Sequence, residues 1–148
     1  MGTRYHPRYP GGKQILRRPP SQGTNENDAQ KLLIMENIPF QVIDWDHIDK
    51  TEYPGITGTA FWQTLQYKGL RLRVVEYSKG YLADHWCQKG HIVHCLEGAF
   101  TTELKSGEIF QLTAGMTYVV SDELSSHRSA TETGVKLLIA DGDFLKPV

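Results

Sequence analysis

The chain has 148 residues, which suits one compact domain and leaves little room for a second. Its 16 basic and 17 acidic residues nearly balance, which argues against a nucleic-acid-binding protein, because neutralising phosphates takes an excess of cations. No apolar run approaches the ~20 residues of a membrane helix, so we expect no association with membranes. No secretory signal is visible, and two cysteines are too few for a disulfide framework, so we expect a cytoplasmic protein.

The first 34 residues differ in composition from the rest of the chain. They contain six basic and two acidic residues and four of the seven prolines, with few large apolar side chains. Such a segment cannot offset the entropy cost of ordering, so we predict a flexible extension over residues 1–34. A short helix over residues 25–36, with Asn25 as its N-cap, is the alternative for the end of this segment. The folded domain is predicted over residues 35–148.

From residue 40 onward the pattern is typical of short β-strands. Leu70, Leu72 and Val74 alternate with Arg71 and Arg73, which predicts a strand with the apolar face in a core. Similar runs lie at about 58–66, 91–97, 99–105, 109–112, 116–121, 127–131 and 135–141. Glycine-containing turn pairs separate them. Seven or eight short strands without a long helical pattern predict an all-β sandwich or barrel and exclude a parallel βαβ sheet.

Three of the six histidines lie within ten residues, beside one of the two cysteines. His85 and Cys87 are two residues apart, so they leave an extended chain on the same face, and His91 has the same parity. If residues 85–87 and 91–95 form neighbouring antiparallel strands, these three side chains converge on one interior point. Imidazole nitrogen and thiolate sulfur are ligands that suit Zn²⁺, so this cluster is a candidate metal site.

A fourth ligand has to come from elsewhere in the chain. The remaining candidates are His127, His47 and His6. Only His127 lies in the β-patterned region, at the start of a predicted strand, which makes it the preferred fourth ligand. Four protein ligands would make a closed, structural site, whereas an open position would permit catalysis.

The spacing around this cluster resembles the first motif of the cupins, which runs glycine, His-x-His, three residues, Glu, six residues, Gly. Gly80 opens the motif, and His85 and Cys87 take the two histidine places. His91 takes the glutamate place, and Gly98 closes the motif six residues later.

A weaker second cupin motif follows further along the chain. Gly115 opens it and His127 ends it, with Ser121 in the place of the usual proline. The run Asp-His-Trp-Cys at 84–87 is similar to that of the small single-domain group called DHCW-motif cupins. This resemblance covers about residues 38–147.

The resemblance implies a single-domain jelly-roll β-barrel (a double-stranded β-helix), usually a homodimer, with a metal inside it. The ligands it implies are His85, Cys87, His91 and His127. A thiolate in this set favours Zn²⁺ over the iron or manganese of the usual His and carboxylate site, with Ni, Co, Cu or Fe as the other choices. Asp84 is a candidate acceptor for a ligand histidine or a turn residue. Arg128 and Tyr118 are candidates for binding a ligand at the barrel mouth, or ordinary surface charge and rim packing.

The function favoured by these observations is a small metal-binding cupin with one divalent transition metal, which binds or transforms a small polar molecule. If it is an enzyme, we expect a metal-dependent oxygenase or isomerase acting on a small substrate. His91 replaces the motif glutamate, which makes an oxygenase of the usual cupin kind less expected. The alternative is a metal-free small-molecule binding or sensor module of the same fold.

Overall fold

The computed structural model describes residues 37–147. The predicted extension over residues 1–34 and the predicted helix over residues 25–36 lie outside the described residues. Between residues 37 and 147 no helix has the length and apolar character needed to cross a membrane. The elements in chain order are a 3₁₀ helix (Trp45–His47), β1 (Thr51–Pro54), β2 (Thr59–Tyr67), β3 (Leu70–Tyr77), β4 (His91–Leu104), β5 (Ile109–Thr113), β6 (Thr117–Val120), β7 (His127–Ala130), β8 (Val135–Gly142) and a second 3₁₀ helix (Asp143–Leu145).

The strands form two antiparallel layers that share β4. In the first layer, β1, β2, β3, β8, the first half of β4 and β6 lie side by side. In the second layer, β5 and β7 pair with the second half of β4. Leu82 and Cys87 extend the second layer through single bridges to β7. This arrangement confirms the predicted all-β jelly-roll barrel.

β4 passes from one layer to the other at a β-bulge. The register with β8 shifts between Cys95 and Glu97, and Gly98 follows with a φ of +81°. The sequence predicted a turn at Glu97-Gly98 between two strands, and this prediction was wrong. The strand continues because β8 pairs with it on both sides of the bulge, and the extra residue bends it towards the second layer.

Apolar side chains from both layers fill the barrel interior. The largest buried cluster consists of Val75, Val93, Cys95, Phe100, Leu112, Val135, Leu137 and Ile139. Along β8 the buried residues alternate, so that Asp141 follows Val135, Leu137 and Ile139 on the inward face. The strand that completes the core therefore also carries a carboxylate into the interior.

The alternation in β3 faces the opposite way from the prediction. Leu70, Leu72 and Val74 were expected to face the core. Val74 is buried, but Leu70 and Leu72 are only half buried, whereas Arg73 is 3% exposed and Val75 belongs to the core cluster. Arg71 lies directly across from Asp141 in the β3–β8 register. Burial of the two arginines is tolerated because this carboxylate pairs with both of them.

Candidate metal centre

Three of the four predicted ligands meet inside the barrel. One ligand atom each from Cys87, His91 and His127 lies within 4.8 Å of the other two. His91 is the first residue of β4 in the first layer, and His127 is the first residue of β7 in the second layer. Cys87 belongs to the irregular segment before β4. The centre therefore joins the two layers of the barrel.

Cys87 reaches this position through β7. Its backbone exchanges two hydrogen bonds with His127, with N···O distances of 2.7 and 2.9 Å. The sequence placed residues 85–87 beside residues 91–95, and that pairing was wrong. Cys87 still comes close to His91, with Sγ 3.3 Å from Nε2, because the ligands project into the interior from both layers.

Both imidazoles are oriented by hydrogen bonds at Nδ1. His91 Nδ1 donates to Asp141 Oδ2 over 3.1 Å, and His127 Nδ1 donates to the Ser125 carbonyl over 2.8 Å. A carboxylate and a carbonyl can only accept, so they place the proton on Nδ1 and leave the Nε2 lone pair of the neutral ring unprotonated. Such hydrogen bonds fix the ring orientation and tautomer of metal-bound histidines in proteins.

The residues of this centre fit a metal ion. His127 Nε2 is buried and has no hydrogen-bond partner among the described residues, which is unusual for a buried polar atom. A metal bound by Cys87, His91 and His127 would supply the missing partner. Two imidazoles and one thiolate also form a nitrogen and sulfur donor set that transition metals prefer over Mg²⁺ or Ca²⁺.

The Cys87 thiol is electrostatically prepared to ionise. Without a metal, burial alone would raise the Cys87 pKa, but a second proton on His91, donated from Nε2 to Sγ, and the charge it gives the ring outweigh burial. The Lys89 backbone and Arg73 add to this effect, so the pKa falls below its ordinary value. The thiolate is the form that binds metals, so this environment favours the ligand form of the side chain.

Asp141 is the functional residue that sequence reasoning missed. It is 2% exposed and accepts hydrogen bonds from Arg71 at 2.9 and 3.0 Å, from Arg73 at 2.7 Å and from His91. Burial would raise its pKa, but the bonds from His91 and Arg71 and the charges of both arginines hold the pKa far below its usual range. The available signal was its inward parity with Leu137 and Ile139.

His85, the remaining predicted ligand, is not in the group of three. Its side chain is 70% exposed, and its Nδ1 lies 2.6 Å from Asp84 Oδ1. The chain bends at Asp84 and His85, so the parity that put His85 and Cys87 on one face does not apply. Asp84 does contact a histidine, as proposed, but not one of the clustered histidines. His47 is exposed and pairs with Asp44, far along the chain from the centre.

Arg128 and Tyr118 both lie beside the centre. The Arg128 guanidinium lies over the Trp86 ring at 4.6 Å and donates to Glu103 over 2.9 Å. Tyr118 contacts His127 edge to face, with ring centroids 5.9 Å apart. Burial raises the pKa of Tyr118, so its phenol remains a neutral donor in the wall of the site.

A cavity of about 180 Å³ opens onto the three clustered residues. His85 lies on its lining, as do Arg128 and Tyr118. A second, more apolar cavity of about 260 Å³ lies on the other side of Tyr118 and His127. The centre is thus accessible from a space large enough for a small molecule.

Solved structures of other proteins share this architecture. A RmlC-like cupin from Shewanella frigidimarina matches with a TM-score of 0.55 and 21% identity, over 70% of this chain and 91% of that chain. Ectoine synthase from P. lautus matches with a TM-score of 0.57 and 19% identity, over 70% and 78% of the two chains. A predicted oxalate decarboxylase from Thermotoga maritima matches with a TM-score of 0.58 and 14% identity, over 69% and 98%.

The chain therefore has the cupin fold, which confirms the resemblance seen in the first sequence motif. No protein-family model matches the sequence, and no curated protein matches it. Identities this low define the fold and leave the activity to be argued from the site.

Proposed function

We propose that this chain is a metal-binding cupin that holds one divalent transition metal on Cys87, His91 and His127. The observation that carries the proposal is the buried His127 Nε2, which has no partner among residues 37–147 although its ring is fixed by a hydrogen bond at Nδ1. The matching orientation of His91 by Asp141 supports it. When bound, such a metal supplies Lewis acidity and lowers the pKa of a bound water.

Zn²⁺ is the metal we propose first. It binds thiolate and imidazole together, and three protein ligands with an open position are typical of its catalytic sites. Ni, Co, Cu and Fe are the other candidates for a site of this donor set. Metal analysis of the purified protein distinguishes them.

The open position would face the cavity that adjoins the centre, where a small polar molecule can bind. If the protein is an enzyme, we propose a metal-dependent isomerase or oxygenase acting on a small substrate. The chain would contribute an ionised Cys87, two oriented imidazoles, and the neutral Tyr118 phenol in the wall. The second candidate, a metal-free binding or sensor module, is supported by the polar cavity but leaves His127 Nε2 unpaired.

We also retain the DHCW-motif group as a proposal, supported by the resemblance of the run at residues 84–87 and by the cupin fold. Asp84 bonds His85 at the rim, Trp86 stacks with Arg128, and Cys87 joins the metal cluster.

A cytoplasmic homodimer is proposed as well. Both cysteines are free, as expected in a reducing compartment. Exposed apolar side chains such as Phe110 and Val119 offer surface for subunit contact.

The test is metal content by inductively coupled plasma mass spectrometry on the full chain and three variants. We expect about one metal ion per chain in the wild type. Cys87→Ser and His127→Gln should lose most of it, because each removes a ligand. His85→Gln, the matched control from the same segment, should retain it. Equal loss in all three variants, or a metal-free wild type, would contradict the proposal.

A further inference from the structure

The cavity beside the metal centre has a strongly cationic wall. No carboxylate of the described residues lines it, whereas four basic side chains do: Arg71, Arg73, Lys89 and Arg128. We propose that this cavity recognises a small molecule through an oxyanion, a carboxylate or a phosphate, which Arg71 and Arg73 bind next to the metal. The placement beside the metal rests on the function proposed above.

The charges at this wall are not balanced internally. Arg71 and Arg73 share a single counter-ion, Asp141, so the three side chains together keep one positive charge. Lys89 pairs at 3.6 Å with Asp122, and Arg128 pairs with Glu103, but neither partner lines the cavity. The ionised Cys87 thiolate adds one negative charge to the lining, which a metal bound there would more than offset. An anionic group in the metal-loaded cavity would therefore meet net positive charge without facing a carboxylate.

Two hydrogen-bond donors in the same wall are unused. Arg73 Nε and Trp62 Nε1 are both buried and have no acceptor in the described part of the chain. The Arg73 guanidinium lies over the Trp62 ring, 4.3 Å from its centroid, so a cation–π interaction holds the two side chains together. That stacking leaves both N–H groups without acceptors. Both groups are enclosed by neighbouring atoms and can only donate, so a partner that reached them after a shift of these side chains would have to supply acceptor atoms, as an oxyanion does.

The size and chemistry of the cavity narrow the ligand further. A volume of about 180 Å³ corresponds to roughly six water molecules, which fits a small metabolite rather than a polymer or a lipid. Guanidinium groups bind carboxylates and phosphates through paired hydrogen bonds, more specifically than lysine does. The arginines would thus orient one end of the ligand, leaving the other end near Cys87 and His127.

The experiment is isothermal titration calorimetry on metal-loaded and on chelator-treated protein. The probes are succinate, inorganic phosphate and, as a neutral analogue of succinate, succinamide. We expect one of the two anions to bind at least about tenfold more tightly than succinamide, and the tighter anion identifies the oxyanion. Arg71→Gln should weaken that binding about tenfold. Lys136→Gln, which removes a half-exposed charge elsewhere on the barrel, should change it less than about twofold.

Lys89→Gln is the second variant, because its exposed side chain can be changed without threatening the fold. It should weaken anion binding about threefold, in line with a single point charge. Equal binding of succinate and succinamide would overturn the inference. So would no anion binding up to about 10 mM, or equal effects of the cavity and Lys136 variants. Anion binding that depends on Arg71 in a protein without metal would leave the oxyanion inference standing and reject the metal proposal.

Discussion

His91 and His127 show how single acceptors prepare a metal site. A neutral imidazole can carry its proton on either nitrogen. The Asp141 carboxylate fixes the proton on Nδ1 of the neutral His91 ring, and the Ser125 carbonyl does the same for His127. The Ser125 carbonyl lies two residues before His127, so a local turn supplies it. Asp141 lies fifty residues beyond His91 and reaches it because β8 pairs with β4, with Ile92 opposite Ala140.

The sequence could predict Cys87 and His91 from their clustering and parity, and His127 from its place at the start of a predicted strand. The strand pairing expected to bring them together was not the one observed, because Cys87 pairs with His127. The sequence could not predict that His85 is at the rim, since the bend at residues 84–85 breaks the parity. It also could not pair Arg71 and Arg73 with Asp141, because that contact depends on strand order. An alternating arginine suggests a solvent face unless the buried counter-ion is known.

At this scale we predict that Asp141→Asn destabilises the fold by about 3 kcal/mol, because it leaves two arginines, one of them deeply buried, without a counter-ion. Urea unfolding measures the change in the free energy of unfolding. Asp143→Asn is the matched control: its carboxylate is exposed and pairs with Lys146 at the surface, so its loss should leave the free energy of unfolding nearly unchanged. Similar losses in both variants would show that the buried network contributes little.

Among the elements, β4 determines where the site lies. Its first residue, His91, is a histidine of the candidate metal centre in one layer, and after the bulge its second half builds the other layer. Most strands were predictable to within a few residues because alternation and glycine turns mark them. β1 was missed because Thr51–Pro54 is exposed throughout and contains proline, so it carries no periodic apolar signal.

The bend in β4 yields a prediction about Gly98. It has a φ of +81°, and a Cβ there would collide with the backbone of Gly134. Gly98→Ala should therefore cost about 2 kcal/mol or more in the free energy of unfolding. Gly107→Ala is the control, since Gly107 also has a positive φ of +103° but open space around its Cβ position. It should cost about 1 kcal/mol. Equal costs in urea unfolding would mean that the close approach at the bulge is relaxed easily.

For the whole molecule, the proposed metal connects the two layers at one end of the barrel. Cys87 and His127 belong to the second layer and His91 to the first, so a shared ion would link them. A ligand that binds only the folded state stabilises it in proportion to its affinity and concentration. We expect the fold to form without such a link, because the apolar cluster already spans both layers.

Chelation should therefore lower the thermal stability without unfolding the protein at room temperature. With metal at a hundredfold its Kd, the stabilisation is about 2.7 kcal/mol, which corresponds to a fall in Tm of about 10 °C on chelation. Differential scanning calorimetry with and without a chelator measures it. His127→Gln should show no chelator effect. An unchanged wild-type Tm, after mass spectrometry has shown that the metal was removed, would argue against a link between layers.

The inward face of β8 changes from hydrocarbon to carboxylate in a single step, between Ile139 and Asp141. The barrel interior is therefore divided into an apolar core, which stabilises the fold, and a charged cavity, where recognition and chemistry would take place. Two kinds of damage follow from it. Substitutions in the apolar core should reduce the yield of folded protein. Substitutions of cavity residues other than Asp141 should leave a folded barrel that no longer binds the metal or the small molecule.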